Sequence, residues 1–571
     1  RPRDIEKIEY HDAPSGKYAK DKLVVNFITK QYRYGGYVQA DGLQTIGYDH
    51  GDYNVVTNYV KGNNSYTVFA GANYSHVDGT ETWNNENYQF TQSLFDRESY
   101  SKNSYRNHQE YMQFRYQNQK GKRYWVGKFT LVNLSTPRNA SSGFAKESTE
   151  TDVFSNIRKK SLSPKIDLNA NLPLSKNQTL TLGVHGKYSA NSYHRLYQEQ
   201  PFETMTDEDE KALSFQLSAI YNYFSQKHSL SMELFHYHDV WNADYSGNCE
   251  LWQHLWKGES LAFFSYNFQA SRRLSLKTRI GLDWLQYHLH GDNSFSQLSP
   301  RINTNVQYQL NKGMLLWSFN FVNSNHGMDV INRAMIQVNS HMMEKGMPEL
   351  KKSHDINTYL YYMGRFNRLS VSAIGQFRYN HHPVTDDYYL DEANGKIVKT
   401  YSNGGNAQYY SAILALQYKL CKFANLSGDI RYNHAEVKTT WSKHNNNLTG
   451  NLGLNMFMGD FALKPYLHFG KKSLDEAALV ISKTPIDYGM SCSYSRGNLY
   501  VELQAVSPFK KQEKQYWLDL PIYSYSKSIK DQTASQYASI KVAYSFDFGR
   551  KIQKVEKDVN KNINSSLLRV E

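Results

Sequence analysis

The 571-residue chain has no stretch approaching the ~18 consecutive apolar residues of a membrane-spanning helix. A helical membrane protein is therefore excluded. A membrane barrel is not, because its strands need lipid-compatible side chains only at alternate positions. Cysteine is almost missing: Cys249, Cys421 and Cys492 form an odd set without CxxC spacing, which indicates neither a zinc site nor a disulfide framework. The 13 prolines fall well below the usual share of about 5%, which excludes a proline-rich linker and argues against disorder. Charge of one sign is lacking too. The 66 Lys and Arg exceed the 53 Asp and Glu by 13, spread along the chain, so no nucleic-acid-binding arm is present. Arg1-Pro2-Arg3-Asp4 opens the chain without a hydrophobic signal core.

Aromatic residues are abundant, with 46 Tyr, 27 Phe and 9 Trp, and the dominant pattern has period two. Between Gln178 and Tyr188, Leu180, Leu182, Val184, Gly186 and Tyr188 share one face, against Thr179, Thr181, Gly183, His185 and Lys187 on the other. A strand lying between two unlike environments requires this alternation, because successive side chains point to opposite faces. Ile302, Thr304, Val306, Tyr308 and Leu310 repeat it, as do Ala412, Leu414, Leu416, Tyr418 and Leu420. Helical spacing never persists beyond a turn or two. The chain reads as all-β.

Short polar turns rich in Gly, Asn and Asp separate pairs of alternating runs at 61–64, 118–122, 175–178, 225–228, 271–273, 311–313, 365–368, 421–423, 459–460 and 495–498. Longer polar stretches, such as 78–108, 133–163, 323–354 and 380–407, lie between them and read as long connections. Strict alternation of short and long connections is the signature of a transmembrane antiparallel up-and-down β-barrel, with its turns on one side of the membrane and its loops on the other. Ten turns join twenty strands, and one more strand at each end gives about 22 over residues 31–549. Each strand plus its connection then has roughly 24 residues, ample for the ~9–11 that span a bilayer. In the last strand Ile540, Val542, Tyr544, Phe546 and Phe548 share a face, and Tyr544, Phe546 and Phe548 read as a barrel-closing strand with an aromatic girdle. The competing reading, the closing strand of a soluble sandwich, would rarely need so many long strands without repeats or proline. Residues 550–571 are Lys- and Asn-rich without period two and read as a flexible periplasmic tail.

Several segments resemble one family. Asp4-Ile-Glu-Lys-Ile-Glu-Tyr-His-Asp-Ala-Pro-Ser-Gly-Lys-Tyr18, followed by Leu23-Val-Val-Asn-Phe-Ile-Thr-Lys30, is similar to the end of the plug domain of TonB-dependent receptors. Leu298-Ser-Pro-Arg-Ile-Asn-Thr-Asn305 resembles that family's "SPR" strand opening, with Leu162-Ser-Pro-Lys-Ile-Asp167 as a second copy. Gly346-Met-Pro-Glu-Leu-Lys351 resembles its "GNPxLKPE" signature, with Met347 and Lys352 departing from it. Tyr544-Ser-Phe-Asp-Phe-Gly-Arg-Lys551 resembles the terminal strand of the Bacteroidetes-type members. The resemblance implies that 1–30 is the C-terminal end of a plug domain and 31–549 the barrel. The rest of the plug and the TonB-contacting segment are not in this sequence.

No HExxH, GxSxG or phosphate-binding glycine loop is present, so no enzyme activity, cofactor or metal is expected. Among the 20 histidines, the pairs His236/His238 and His288/His290 would share a strand face near the outer rim; an interface role alongside Tyr237 and Tyr287 outweighs metal or haem ligation. His381 and His382 open a stretch with Asp386, Asp387, Tyr388 and Tyr389, and His381, His382, Tyr388 and Tyr389 are the candidate ligand-contacting loop residues. Trp83, Trp241 and Trp252 read as loop residues able to stack on a flat ligand or anchor in a girdle.

The resemblance implies an outer-membrane receptor that takes up a scarce small-molecule ligand, energised by TonB-ExbB-ExbD. A ferric siderophore or haem is favoured over a glycan or peptide. Other implied partners are outer-membrane lipid and lipopolysaccharide, the barrel-assembly machinery and, as an open option, a surface lipoprotein. The competing class is a passive pore or a non-transporting surface-binding barrel.

Overall fold

The computed structural model describes residues 5–11, 24–29 and 34–549, except 92, 293, 325–326 and 532–534, together with 552, 555 and 558–563. Of the expected plug segment, 1–4, 12–23 and 30 lie outside the described residues; Ile5–His11 and Val24–Thr29 pair as a separate two-stranded antiparallel sheet.

A single antiparallel sheet closes on itself as a barrel of 22 strands. All ten short turns fall where the Gly/Asn punctuation places them, and Gly62, Gly121, Gly459 and Gly497 take the positive φ that these tight hairpins demand. Four of the last strands are interrupted, for example Tyr523–Lys530 continued by Tyr537–Gly549. The seam joins Tyr34–Ile46 to Tyr537–Gly549 and sets Gly36 opposite Phe548, Val38 opposite Phe546 and Ala40 opposite Tyr544.

The barrel is inside out. Large apolar side chains point away from the lumen and stay exposed: Met232 and Leu234 at 59%, Ile430 at 60%, Leu448 at 69%. The inner face is polar and pairs its groups across neighbouring strands. Asn58 donates to Thr67 at 2.9 Å, and Gln113 donates to Thr130 at 2.9 Å. An apolar belt around a hydrogen-bonded polar interior suits hydrocarbon outside and water or protein inside. The strands therefore cross a membrane.

The wall is uneven. From Asn64–Gln89 to His228–Gly247 the strands run 20 to 27 residues, whereas Gly313–Ser324, Ser353–Phe366, Leu369–His381 and Asn406–Lys419 have only 12 to 14. This corrects the expectation that 78–108 and 133–163 are loops. Both are mainly ladder, and the true connections are 90–93 and 147–149. Above the bilayer both faces of a strand meet polar surroundings, so the alternation fades while the backbone pairing continues. The outer connection 47–48 is also short. The hairpin it closes ends low in the wall, and above it Tyr523–Lys530 pairs directly with the segment Glu81–Tyr88.

In the tail, Val555 and residues 558–563 lie against the inner wall. Val555, Val559 and Ile563 pack around Phe69, Tyr111 and Val132.

Candidate functional site

The short side of the wall carries the two longest described connections, and both fold inward over the outer mouth. Residues 327–352 contribute a one-turn helix, Met328–Ile331, and the strands Met335–Gln337 and Met342–Lys345; residues 382–405 contribute the hairpin Thr385–Asp391/Lys396–Ser402. The four strands form one sheet, with Met342–Glu344 parallel to Ile397–Lys399. Each hairpin is made by a local side chain. Asn339 Oδ1 accepts the amides of His341 and Met342, both at 2.9 Å, and Asp391 Oδ1 accepts those of Ala393 and Asn394 ahead of Gly395, whose φ is +58°. Lys399 is shared by Glu344 and Asp386, each at 3.4 Å. Burial pulls its ammonium toward neutrality, but the two carboxylates outweigh that and hold it charged, with its pKa above the usual lysine range.

Apolar contacts seat this sheet on the inner wall. Met342, Tyr388 and Ile397 pack with Tyr88, Leu518 and Tyr523, while Ile331 and Leu350 pack with Trp241, Leu255, Leu285 and Tyr287. Polar bonds then fix its position. Arg195 donates to the carbonyls of Gln337 at 2.8 Å and Val338 at 2.6 Å. Tyr287 donates to the carbonyls of Pro348 and Leu350 at 3.0 and 3.2 Å, and Lys352, 1% exposed, meets Asp283 at 3.1 Å.

A further anchor centres on Arg97, buried within the tall wall. It reaches Glu86 at 2.6 Å, Glu199 at 3.1 Å and the Tyr197 hydroxyl at 3.1 Å. Glu86 also accepts the hydroxyls of Tyr88 at 2.9 Å and Tyr523 at 2.8 Å, and Tyr88 accepts Asn339 Nδ2 from the mouth sheet at 3.0 Å. Burial opposes the charge on Arg97, but Glu86, Tyr197 and Glu199 more than offset it. Burial, then Glu86, pushes the Tyr88 phenol well above its ordinary range. Further round, burial and then neighbouring Glu210 push the Glu208 carboxyl up to about 9, so it is protonated at neutral pH. Glu208 sits above the apolar belt, beside Tyr245, whose hydroxyl accepts Asn332 Nδ2 of the mouth segment at 2.5 Å.

The four candidate loop residues do not form one surface. His381 ends its strand and its ring lies tilted against that of His382, with centroids 3.9 Å apart. His382 has a φ of +57° and its Nδ1 lies 2.9 Å from the Asn403 carbonyl. Tyr388 is buried beneath the mouth sheet, whereas Tyr389 is 43% exposed. The three tryptophans stand on strands and not, as expected, on loops: Trp241 is buried, Trp83 packs on Tyr100 at 4.3 Å, and Trp252 stacks on His254. Their neighbourhoods are polar on both faces, which hid the strands. His236 bonds Ser260 at 2.9 Å, and among the described residues no group of three or more His, Cys, Asp and Glu is placed to hold a metal. The outer wall also carries a concavity of about 620 Å³, lined in part by Asn85, Asn87, Asp96, Glu98, Trp517 and Asp519. With Lys146 also on its lining, this mix of charged groups, amides and an indole suits hydroxylated groups. Arg97, Glu199 and Arg195 went unnoticed in the sequence: Arg97 meets Glu86 across a ladder hidden in a polar stretch, while the Arg97–Glu199 and Arg195–Gln337 contacts join residues a hundred or more positions apart.

Fold and mouth together define a large single-chain transmembrane β-barrel whose outer opening is covered by its own connections. No protein-family model matches the sequence, and no curated protein matches it. Solved structures do match. The copper transporter OprC aligns over 92% of this chain and 83% of its own, with a TM-score of 0.64 at 10% identity. A mutant ferric enterobactin receptor, PfeA from Pseudomonas aeruginosa, aligns over 91% and 82%, with a TM-score of 0.59 at 9% identity. The FrpB iron transporter from Neisseria meningitidis aligns over 95% and 88%, with a TM-score of 0.57 at 8% identity. The barrel fold is shared with these transporters and receptors.

Proposed function

We propose that the chain is the barrel of an outer-membrane receptor that imports a scarce solute with TonB-derived energy. One observation carries this reading: a sheet from 327–352 and 382–405 folds over the mouth of the polar lumen and is hydrogen-bonded to its wall. Such a cover suits a receptor, which must hold its cargo before passage. The resemblance of the Gly346–Lys351 and terminal-strand motifs to TonB-dependent receptors supports the same reading. So do solved neighbours described as copper, iron and siderophore proteins. A ferric siderophore or haem is the favoured cargo. TonB-ExbB-ExbD and outer-membrane lipid are the partners that this function needs.

The test is uptake of radiolabelled ferric siderophores and haem by iron-starved cells with and without the gene, in backgrounds with and without TonB. Uptake that needs both is the expected result. Uptake that needs the gene but not TonB would favour a passive pore, and a stable open conductance in a planar bilayer would establish it. Cargo binding at the surface without internalisation would favour a non-transporting binding barrel.

A further inference from the structure

The periplasmic half of the lumen contains a second constructed contact, and its occupant belongs to the same chain. The last strand ends at Gly549, where a φ of +68° lets the backbone reverse from the wall. Val555 then lies inside: its amide donates to the Tyr37 hydroxyl at 2.8 Å. Gln113 donates to the Asp558 carbonyl at 3.3 Å, and Lys128 pairs with the Asp558 carboxylate. Lys165, 5% exposed, donates to the carbonyls of Asn560 at 2.7 Å and Asn562 at 2.6 Å. Lys561 lies 4.3 Å over the ring of Tyr111. Val555, Val559 and Ile563 fill the apolar patch made by Val56, Phe69, Tyr111 and Val132.

These contacts follow a pattern. Tyr37, Gln113 and Lys165 read the tail through its backbone, as peptide-binding clefts do, while the apolar patch and Lys128 read three aliphatic side chains and one carboxylate. The patch is also exceptional for its place, since the lumen at this height is otherwise lined by groups such as Asn58, Thr67, Thr130 and Ser163. An apolar patch facing an aqueous lumen favours an apolar partner.

We propose that this inner wall is a peptide-binding groove and that the C-terminal segment, Val555 with Asp558–Ile563, is its tethered occupant, which must leave before another polypeptide or solute can use that wall. Tethering makes the occupant hard to displace, because a short covalent link supplies an effective concentration of about millimolar.

The test uses the full chain with Cys249, Cys421 and Cys492 changed to Ser, refolded in outer-membrane lipid. Val132→Cys, at a position 0% exposed, should react with a water-soluble maleimide at least ten times faster once residues 555–571 are deleted. The described tail adds no strand to the barrel, so the deletion should still show the heat-dependent gel shift of a folded barrel. Val559→Asp with Ile563→Asp in the full-length chain should reproduce the acceleration, and should also free a Lys128→Cys/Asp558→Cys pair from bridging by a short bifunctional maleimide. Equal labelling rates with and without the tail would overturn the proposal. So would a Lys128→Cys/Asp558→Cys pair that fails to bridge in the otherwise unaltered chain although each thiol reacts singly.

Discussion

Arg97 gives the sharpest quantitative test of how the mouth is held. Its guanidinium is 5% exposed and faces two buried carboxylates, Glu86 and Glu199, and the Glu86–Tyr88–Asn339 chain carries that anchor into the mouth sheet. Arg97→Met keeps most of the side-chain volume and removes the charge, which leaves two acids buried without a cation. Breaking a buried ion pair from one side costs about 3–5 kcal/mol. At about 1.4 kcal/mol per tenfold, this corresponds to a roughly hundred- to few-thousand-fold rise in the opening equilibrium of the sheet. Hydrogen exchange reads that quantity at the amides of His341 and Met342, which are protected only while Asn339 holds its turn. Amides in the belt, such as those of Leu414 and Ile430, should be unchanged, because their ladder is independent of the mouth. Adding Glu86→Gln and Glu199→Gln to Arg97→Met removes the orphaned charges and should recover much of the protection. Unchanged exchange at His341 and Met342 in Arg97→Met would refute the reasoning, as would an equal rise in the belt.

Three further outcomes are expected. Leu416→Arg places a cation in the lipid-facing belt and should cost about 2–4 kcal/mol in denaturant titrations in liposomes, whereas Gln417→Arg, on the lumen side, should cost little. Tyr388→Ala should destabilise the mouth sheet by about 3–5 kcal/mol and expose 382–405 to protease, while Tyr389→Ala should stay within about 0.5 kcal/mol. Glu208 keeps its proton in the folded state up to a pH of about 9, and the unfolded chain releases it near its ordinary value. The fold therefore binds the extra proton, and the Glu208 contribution weakens as pH rises through that window, with Glu210, Asp209 and Tyr245 as the groups around it. Protection factors in 332–336, taken against the intrinsic exchange rate at each pH, should fall toward pH 9 and lose that fall in Glu208→Gln.

The sequence by itself determined the barrel. A strand between lipid and lumen must alternate, and a tight turn must recruit Gly or Asn, so both the spanning strands and the ten hairpins that join them are written locally. Above the bilayer that logic ends. Both faces of the tall strands meet polar groups, so 78–108 and 133–163 read as loops although their ladders run almost unbroken. The mouth was decided by tertiary structure alone. Nothing near position 388 in the chain tells Tyr388, which is buried against Tyr523, from Tyr389, which faces solvent. Arg97 and Glu199 are 102 positions apart, and Lys128 and Asp558 are 430 apart. A buried charge is tolerated only where a partner meets it, and only the folded wall brings those partners into the same small volume.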